Sequence, residues 1–305
     1  MPKPNLSSQT TARRAFWVAE IRKLSDSFRD DAERMEEVLK LEIESDGSAA
    51  LLDHLLTCGV IPESYGHDSS EEKLYSKYTD ALIAFAFAHM GITSVVLKLR
   101  ADSADVECVT PDFSFVADAK AFRLSRTAKN QKDFKVQAMD GWKRGKPFAI
   151  VVCPIYQLPA RASQIYLQAI SRDVCLFSYS HIALLVRLAD KVSPAASVRV
   201  LHDVFKSVAH MHPTKDAVPY WTSINRTMLS AHKCMQPLWL AAKLASIEAM
   251  TAGKEEALQF LAKERETMMR MSRQEAINEL ISKHNIENRI QVIRGVCDNA
   301  LMDIS

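Results

Sequence analysis

Residues 113 to 120 alternate in character, with Phe113, Phe115, Ala117 and Ala119 on one parity and Ser114, Val116, Asp118 and Lys120 on the other. In a strand, residues i and i+2 share a face, so Asp118 and Lys120 are expected to point together. Upstream, Asp105-Val-Glu-Cys-Val reads as a short strand, and Thr110-Pro-Asp-Phe113 between the two reads as a turn with Pro111 at a favoured position. A hairpin closed there sets Asp105 opposite Asp118, with Cβ atoms roughly 5 Å apart. Helical periodicity is expected over residues 10–60, with acidic patches at Asp30-Asp-Ala-Glu and Glu36-Glu37, and again from about Ser70 to His89. A strand from Ser94 to Leu99 precedes the hairpin, and a basic helix follows it to about Lys143. Strands Phe148 to Val152 and Val174 to Phe177 flank a helix near Ala162 to Ile170.

From about residue 195 the helical period dominates, punctuated by Pro194, Pro213 and Pro219. One apolar stripe is Val198, Leu201, Val204 and Phe205; another is Leu238, Ala241, Leu244, Ala245 and Ile247. Met268, Met269 and Met271 are expected to fill core or line a helix contact. The pattern as a whole implies an α/β protein, a mixed sheet covered by helices. It divides into a helical N-terminal region (1–68), a core (69–190) and a helical C-terminal region (191–305). With neither an internal repeat nor a low-complexity linker, the three are expected to pack as one body.

Composition narrows the class. At 305 residues and 48% hydrophobic, the chain can bury one large core or two modest ones. The longest apolar runs, 81–88 and 148–153, are too short to span a bilayer. The N-terminus has Arg13 and Arg14 but no apolar stretch of a secretory signal. Six scattered cysteines without a Cys-x-x-Cys pair fit reduced thiols in a cytoplasm. His210-Met-His212 and His232-Lys-Cys234 lack a partner pair at zinc-site spacing. Eight glycines leave little material for a phosphate-binding loop.

Charge changes the picture more than composition does. Residues 120–146 hold nine Lys/Arg against two Asp, a net +7, whereas the whole chain carries only +2. Arg123, Arg126, Lys129, Lys132 and Lys135 recur every third residue, a spacing that on a helix would follow phosphates. Asn130 and Gln131 interrupt the run; such amides can read adenine edges, as arginine reads guanine. Two opposed carboxylates suit a hard cation such as Mg²⁺, which takes one or two of them plus waters and phosphate oxygens. A lysine beside such a cation can position water or steady negative charge. Asp112 is a tempting alternative first acid, but six residues of strand would separate it from Asp118 by about 20 Å. It is assigned to the turn.

The run Val-Ala-Asp118-Ala-Lys120, with Phe122-Arg-Leu-Ser-Arg-Thr-Ala-Lys-Asn-Gln-Lys-Asp-Phe-Lys-Val136 after it, resembles the HindIII family of type II restriction endonucleases, within the PD-(D/E)xK nuclease superfamily. Weaker likeness is seen in Gly59-Val-Ile-Pro62, Glu72-Lys-Leu-Tyr-Ser-Lys77, Ser163-Gln-Ile165, Leu176-Phe-Ser178 and Glu275-Ala-Ile277. The resemblance covers most of residues 47–298, leaving the first 46 as an addition. It implies a PD-(D/E)xK core, Asp105 and Asp118 as metal-binding acids, Lys120 as the catalytic lysine and Glu72 as a supporting helix glutamate. For DNA contact the basic segment offers Arg123, Ser125, Arg126, Thr127, Lys129, Asn130, Gln131, Lys132 and Lys135, with Arg126, Asn130 and Gln131 expected in the major groove and Lys129, Lys132 and Lys135 on phosphates. The resemblance further implies duplex DNA as substrate, Mg²⁺ dependence, cleavage of AAGCTT with 5′ overhangs, and a cognate methyltransferase in the same prokaryotic cytoplasm. A palindrome calls for a homodimer. The competing readings are a repair or junction nuclease of the same superfamily, and a DNA-binding protein that no longer cuts.

Overall fold

The computed structural model describes residues 6–97, 103–125, 131–283 and 286–294. By internal packing the chain divides into a unit of residues 1–257 and a second of residues 258–305. At the centre of the first unit is a five-stranded mixed sheet in the order β1-β2-β3-β4-β5. Its strands are β1 (Thr93–Val96), β2 (Val106–Val109), β3 (Ser114–Ala119), β4 (Phe148–Cys153) and β5 (Val174–Ser178).

The first three strands are antiparallel and the last three parallel. The change of direction follows from the connections. A tight turn joins β2 to β3, where Thr110 Oγ1 accepts from the amides of Asp112 and Phe113. Helices α5 (Val136–Trp142) and α6 (Gln164–Ser171) carry the chain between the parallel strands. Parallel strands covered on both faces should read as unbroken apolar runs, and β5 is buried throughout. The β2–β3 register pairs Val106 with Ala117 and Cys108 with Phe115, which is the hairpin expected from the turn.

Helix α4 (Ser70–His89) has the bounds that its periodicity predicts. Ser69 caps it by accepting from the Glu72 amide, and Glu71 and Glu72 favour its N-terminal dipole. The basic helix differs from expectation. Residues 121–125 are not helical, Gln131–Phe134 is a short 3₁₀ turn, and Lys135 has φ of 49°, so the α-helix begins only at Val136. A non-glycine residue in the left-handed region breaks helical phase. The expected every-third-residue stripe therefore does not lie along one helix.

Before the sheet come α1 (Ser8–Ile21), α2 (Phe28–Asp46) and α3 (Ser48–Thr57), with Gly47 at φ +65° making the corner between the last two. A buried polar knot joins them. Arg13 pairs with Glu42, Asp46 and Asp53. Trp17 Nε1 donates to Glu42 at 2.6 Å, and His54 Nε2 lies 3.0 Å from the same carboxylate. Burial opposes the Glu42 charge, but the bonds from His54, Arg13 and Trp17 outweigh it and hold its pKa at about 2. His54 Nδ1 sits 2.7 Å from the Tyr78 hydroxyl, which ties the knot to α4. A buried ion group loses several kcal/mol when one partner is removed, so this knot fixes the setting of α4 against α1–α3.

After the sheet come α7 (Tyr179–Lys191), α8 (Pro194–Ala209), α9 (Ala217–Ser230), α10 (Met235–Arg270), α11 (Arg273–Lys283) and α12 (Ile286–Arg294). The stripe Leu201, Val204 and Phe205 of α8 is buried, with Phe205 stacked on Phe148. The second expected stripe is not core. Leu238 is buried, but Leu244 is 63% exposed and Ile247 is also exposed. Met268 and Met269 are exposed too, Met269 at 75%, so among the described residues these two do not fill core. Among the described residues no helix is long and apolar enough to cross a membrane.

Candidate active site

Asp118, wholly buried, is the last residue but one of β3, and Lys120 follows the strand directly. The backbone of Lys120 is held on two sides. Its amide donates to the Val152 carbonyl at 2.7 Å, and its carbonyl accepts from Tyr179 at 3.0 Å. The side chain reaches back to donate to Asp118 Oδ1. Asp105 stands one residue before β2, where the hairpin register carried outward sets it against Asp118. The third acid is Asp80 of α4, only 2% exposed. One carboxylate oxygen from each of Asp80, Asp105 and Asp118 lies within 4.8 Å of the others.

A second lysine enters the cluster. Lys77, one turn before Asp80, donates to Asp105 Oδ1 at 2.9 Å and to Asp80 Oδ2 at 3.3 Å. Burial works against its charge, but Asp80 and Asp105 outweigh that and raise its pKa above the ordinary lysine value. Burial followed by the nearby Asp105 charge pushes the Asp80 carboxyl well above the usual range. Burial also raises Asp118, against the pull of Lys120. Asp105 goes the other way: burial opposes its charge, but Lys77 and then Lys120 hold it below the usual range.

Two buried oxygens in the cluster, Asp80 Oδ1 and Asp118 Oδ2, have no hydrogen-bond partner. A buried carboxylate oxygen without a partner is costly, and a bound cation would remove that cost. An all-oxygen, all-carboxylate donor set is the chemistry of a hard divalent ion. The residues therefore fit a divalent metal.

Of the catalytic residues expected from the sequence, Asp105, Asp118 and Lys120 come together. Glu72 does not join them. Eight residues from Asp80, it lies about 12 Å along the helix, paired with Arg123 at 3.2 Å and accepting from the Asp68 amide at 2.8 Å. Asp80 and Lys77 were missed. The available signal was an acid directly before the apolar run 81–88, on a helix whose other buried positions are nearly all apolar. Asp112 is exposed in the turn.

The basic segment starts from a firm anchor. Phe122 bridges to Val60, its amide donating to the Gly59 carbonyl at 3.1 Å, and its ring meets Phe134 at 5.8 Å. Both rings are buried, so the chain between them leaves from and returns to fixed points beside Lys120. Arg123 is spent inside the chain. It donates to the carbonyls of Tyr65 and Gly66 at 2.7 Å each, besides its pairing with Glu72. Ser125 donates from its amide and hydroxyl to Glu63. Arg126, Thr127, Lys129 and Asn130 lie outside the described residues, as does the side chain of Gln131. Lys132 and Lys135 are exposed, and the Lys135 ammonium lies 5.4 Å from the Trp142 ring centre.

A profile of the family described as HindIII restriction endonuclease matches residues 14–297. The chain belongs to this family. It is also 31% identical over 249 residues to the type II restriction enzyme HindIII of Haemophilus influenzae, covering 80% of this chain and 82% of that protein. The protein is thus a restriction endonuclease, a site-specific deoxyribonuclease acting on DNA. The match begins at residue 14, so α2 and the greater part of α1 fall within it, and the first 46 residues are not wholly an addition. The knot of Arg13, Trp17, Glu42 and His54 joins these helices to α4, which carries Asp80 and Lys77.

Proposed function

We propose that the protein is a Mg²⁺-dependent type II endonuclease that cuts both strands of a palindromic duplex, AAGCTT, leaving 5′ overhangs. The observation that carries the metal-dependent reading is the buried cluster of Asp80, Asp105 and Asp118 with two unpartnered oxygens, beside Lys120. Those three acids would hold the cation. When bound, such an ion polarises a phosphoryl oxygen and lowers the pKa of water. Lys120 has its backbone fixed by β4 and α7, so its ammonium has little freedom to lose. It serves as a donor to the attacking water and to charge developing on the phosphate. Asp118, sharing Lys120, holds that ammonium on the side of the cluster.

Arg126, Asn130 and Gln131 are proposed to reach base edges, and Lys129, Lys132 and Lys135 to meet phosphates. Arg123 and Ser125, engaged by Glu72 and Glu63, act as the strap from which the reading segment projects. The exposed apolar residues of α10 support a homodimer, since a second copy would remove them from water. The scattered free cysteines support a prokaryotic cytoplasm, in which a cognate methyltransferase protects the host site.

The test is digestion of a plasmid of known sequence with Mg²⁺, followed by sequencing of the ends. One recurring hexanucleotide with four-base 5′ overhangs is expected. Cuts that follow DNA structure without a fixed sequence would instead identify a repair or junction nuclease.

A further inference from the structure

The carboxylate cluster already holds a cation of its own. Lys77 Nζ bonds Asp105 Oδ1 at 2.9 Å and Asp80 Oδ2 at 3.3 Å, thus joining two of the three acids proposed to hold metal. It differs from Lys120 in two ways. Lys120 is 15% exposed in its side chain and, of the three acids, bonds Asp118, whereas Lys77 is 36% exposed and bonds the other two. A long, partly exposed side chain can turn its ammonium into water, where it is well solvated. The orphaned oxygens belong to Asp80 and Asp118, so neither lysine completes the cluster.

We propose that Lys77 is a resident counter-ion that competes with the divalent metal for Asp80 and Asp105, and thereby sets the metal concentration at which the site fills. In the metal-free protein the ammonium bridges Asp105 and Asp80 and supports the charge of Asp105. On loading, the ammonium gives up both oxygens and turns outward, which leaves a positive group at the mouth of the site. The cost of breaking two charge-assisted bonds appears as weaker metal binding. A group that merely shaped the site would act in the opposite sense, because its loss would loosen the ligands.

This inference rests on the metal reading of the cluster, and the experiment separates the two. Mn²⁺ binding is measured without DNA by the loss of the free-ion electron paramagnetic resonance signal, for wild type, Lys77→Met, Lys77→Arg and Asp118→Asn. The expected result is tighter Mn²⁺ binding by Lys77→Met, by about tenfold or more. Lys77→Arg, which keeps a cation, should stay near wild type. Unchanged or weaker binding by Lys77→Met, with wild-type binding that depends on Asp118, overturns the competition alone. Wild-type protein that binds no Mn²⁺, or binds it equally well in Asp118→Asn, overturns both readings. Should Lys77→Met fail to fold, the lysine ammonium ¹H–¹⁵N signals of wild type decide, with Lys77 assigned by Lys77→Arg. The Lys77 signal is expected to shift or exchange away as Mg²⁺ fills the site, and a signal unchanged at saturation overturns the proposal.

Discussion

At the scale of the residue, Asp118 is pulled in two directions. It is wholly buried, which penalises its charge, yet it holds the Lys120 ammonium and presents a second oxygen without a partner. Asp118→Asn keeps the shape and removes the charge, so duplex binding should survive while cleavage falls by about a hundredfold or more. Gel shift and plasmid nicking check this together; equal loss of both would show that Asp118 is structural. Asp80 and Glu72 make a sharper contrast. Asp80→Asn should weaken metal binding and cleavage in the same way as Asp118→Asn. Glu72→Gln should leave metal affinity alone and act through Arg123, by loosening the strap at residues 62–66. Pairing Asp118 with Lys120 was legible from alternation, and Asp105 from counting across the turn, because both are local geometry. Asp80 was not legible in that way. Its partners lie 25 and 38 residues further along the chain, and no local period encodes that meeting.

At the scale of the element, the clearest case is the place where α3, β3 and α7 converge. A Cβ on Gly59 would stand 2.7 Å from Pro154 Cγ, a distance at which a rigid ring must move. Gly59 also accepts from the Phe122 amide, the anchor of the basic segment. Gly59→Ala is therefore expected to cost roughly 1–3 kcal/mol, read as a lower urea midpoint, and to weaken DNA binding with it. The cap of α7 carries a second prediction. His181 lies buried between Ser178 Oγ at 2.6 Å and Asn225 Oδ1 at 3.1 Å, and burial pushes its pKa down to about 4. The unfolded chain binds this proton near pH 6.5, whereas the folded chain binds it only near 4. Stability from this site is complete above pH 6.5 and is lost as pH falls from 6.5 to 4, by roughly 3 kcal/mol at most. Denaturation of wild type and His181→Gln at pH 7.5 and 4.5 tests the sign: the variant should lose less on acidification. The basic segment shows where periodicity misled. A three-residue recurrence of cations predicts a helix face, but Arg123 stands outside any helix and the left-handed turn at Lys135 breaks the phase before α5.

At the scale of the molecule, the apolar positions that the chain leaves uncovered matter most. Within residues 1–257 these include Leu240, Leu244 and Ile247; within residues 258–305, Leu258, Met269 and Leu280. Helical period alone assigned Leu244 and Ile247 to a stripe like that of α8, because a side chain buried by its own chain and one buried by another have the same spacing. The homodimer proposed above would use exposed apolar surface of this kind. Leu244→Glu with Ile247→Glu should shift the species seen by analytical ultracentrifugation from dimer to monomer. Cleavage of a palindrome should fall with it, while metal binding per chain stays unchanged. A monomeric wild type would defeat this prediction at once.

Sequence by itself determined the α/β class, the bounds of α4, the β2–β3 register, and the joint orientation of Asp118 and Lys120. Each depends on interactions between near neighbours: a cap, a turn, or a two-residue period. Only the tertiary structure decided that Asp80 completes the acidic cluster, that Lys77 lies across it, and that Arg123 is turned inward. Those outcomes depend on how α4 is set against the hairpin, which the buried knot of Arg13, Glu42, His54 and Tyr78 fixes through contacts distant in the chain. Burial then gives the site its chemistry, because it strips water from the carboxylates and leaves oxygens that a cation can satisfy.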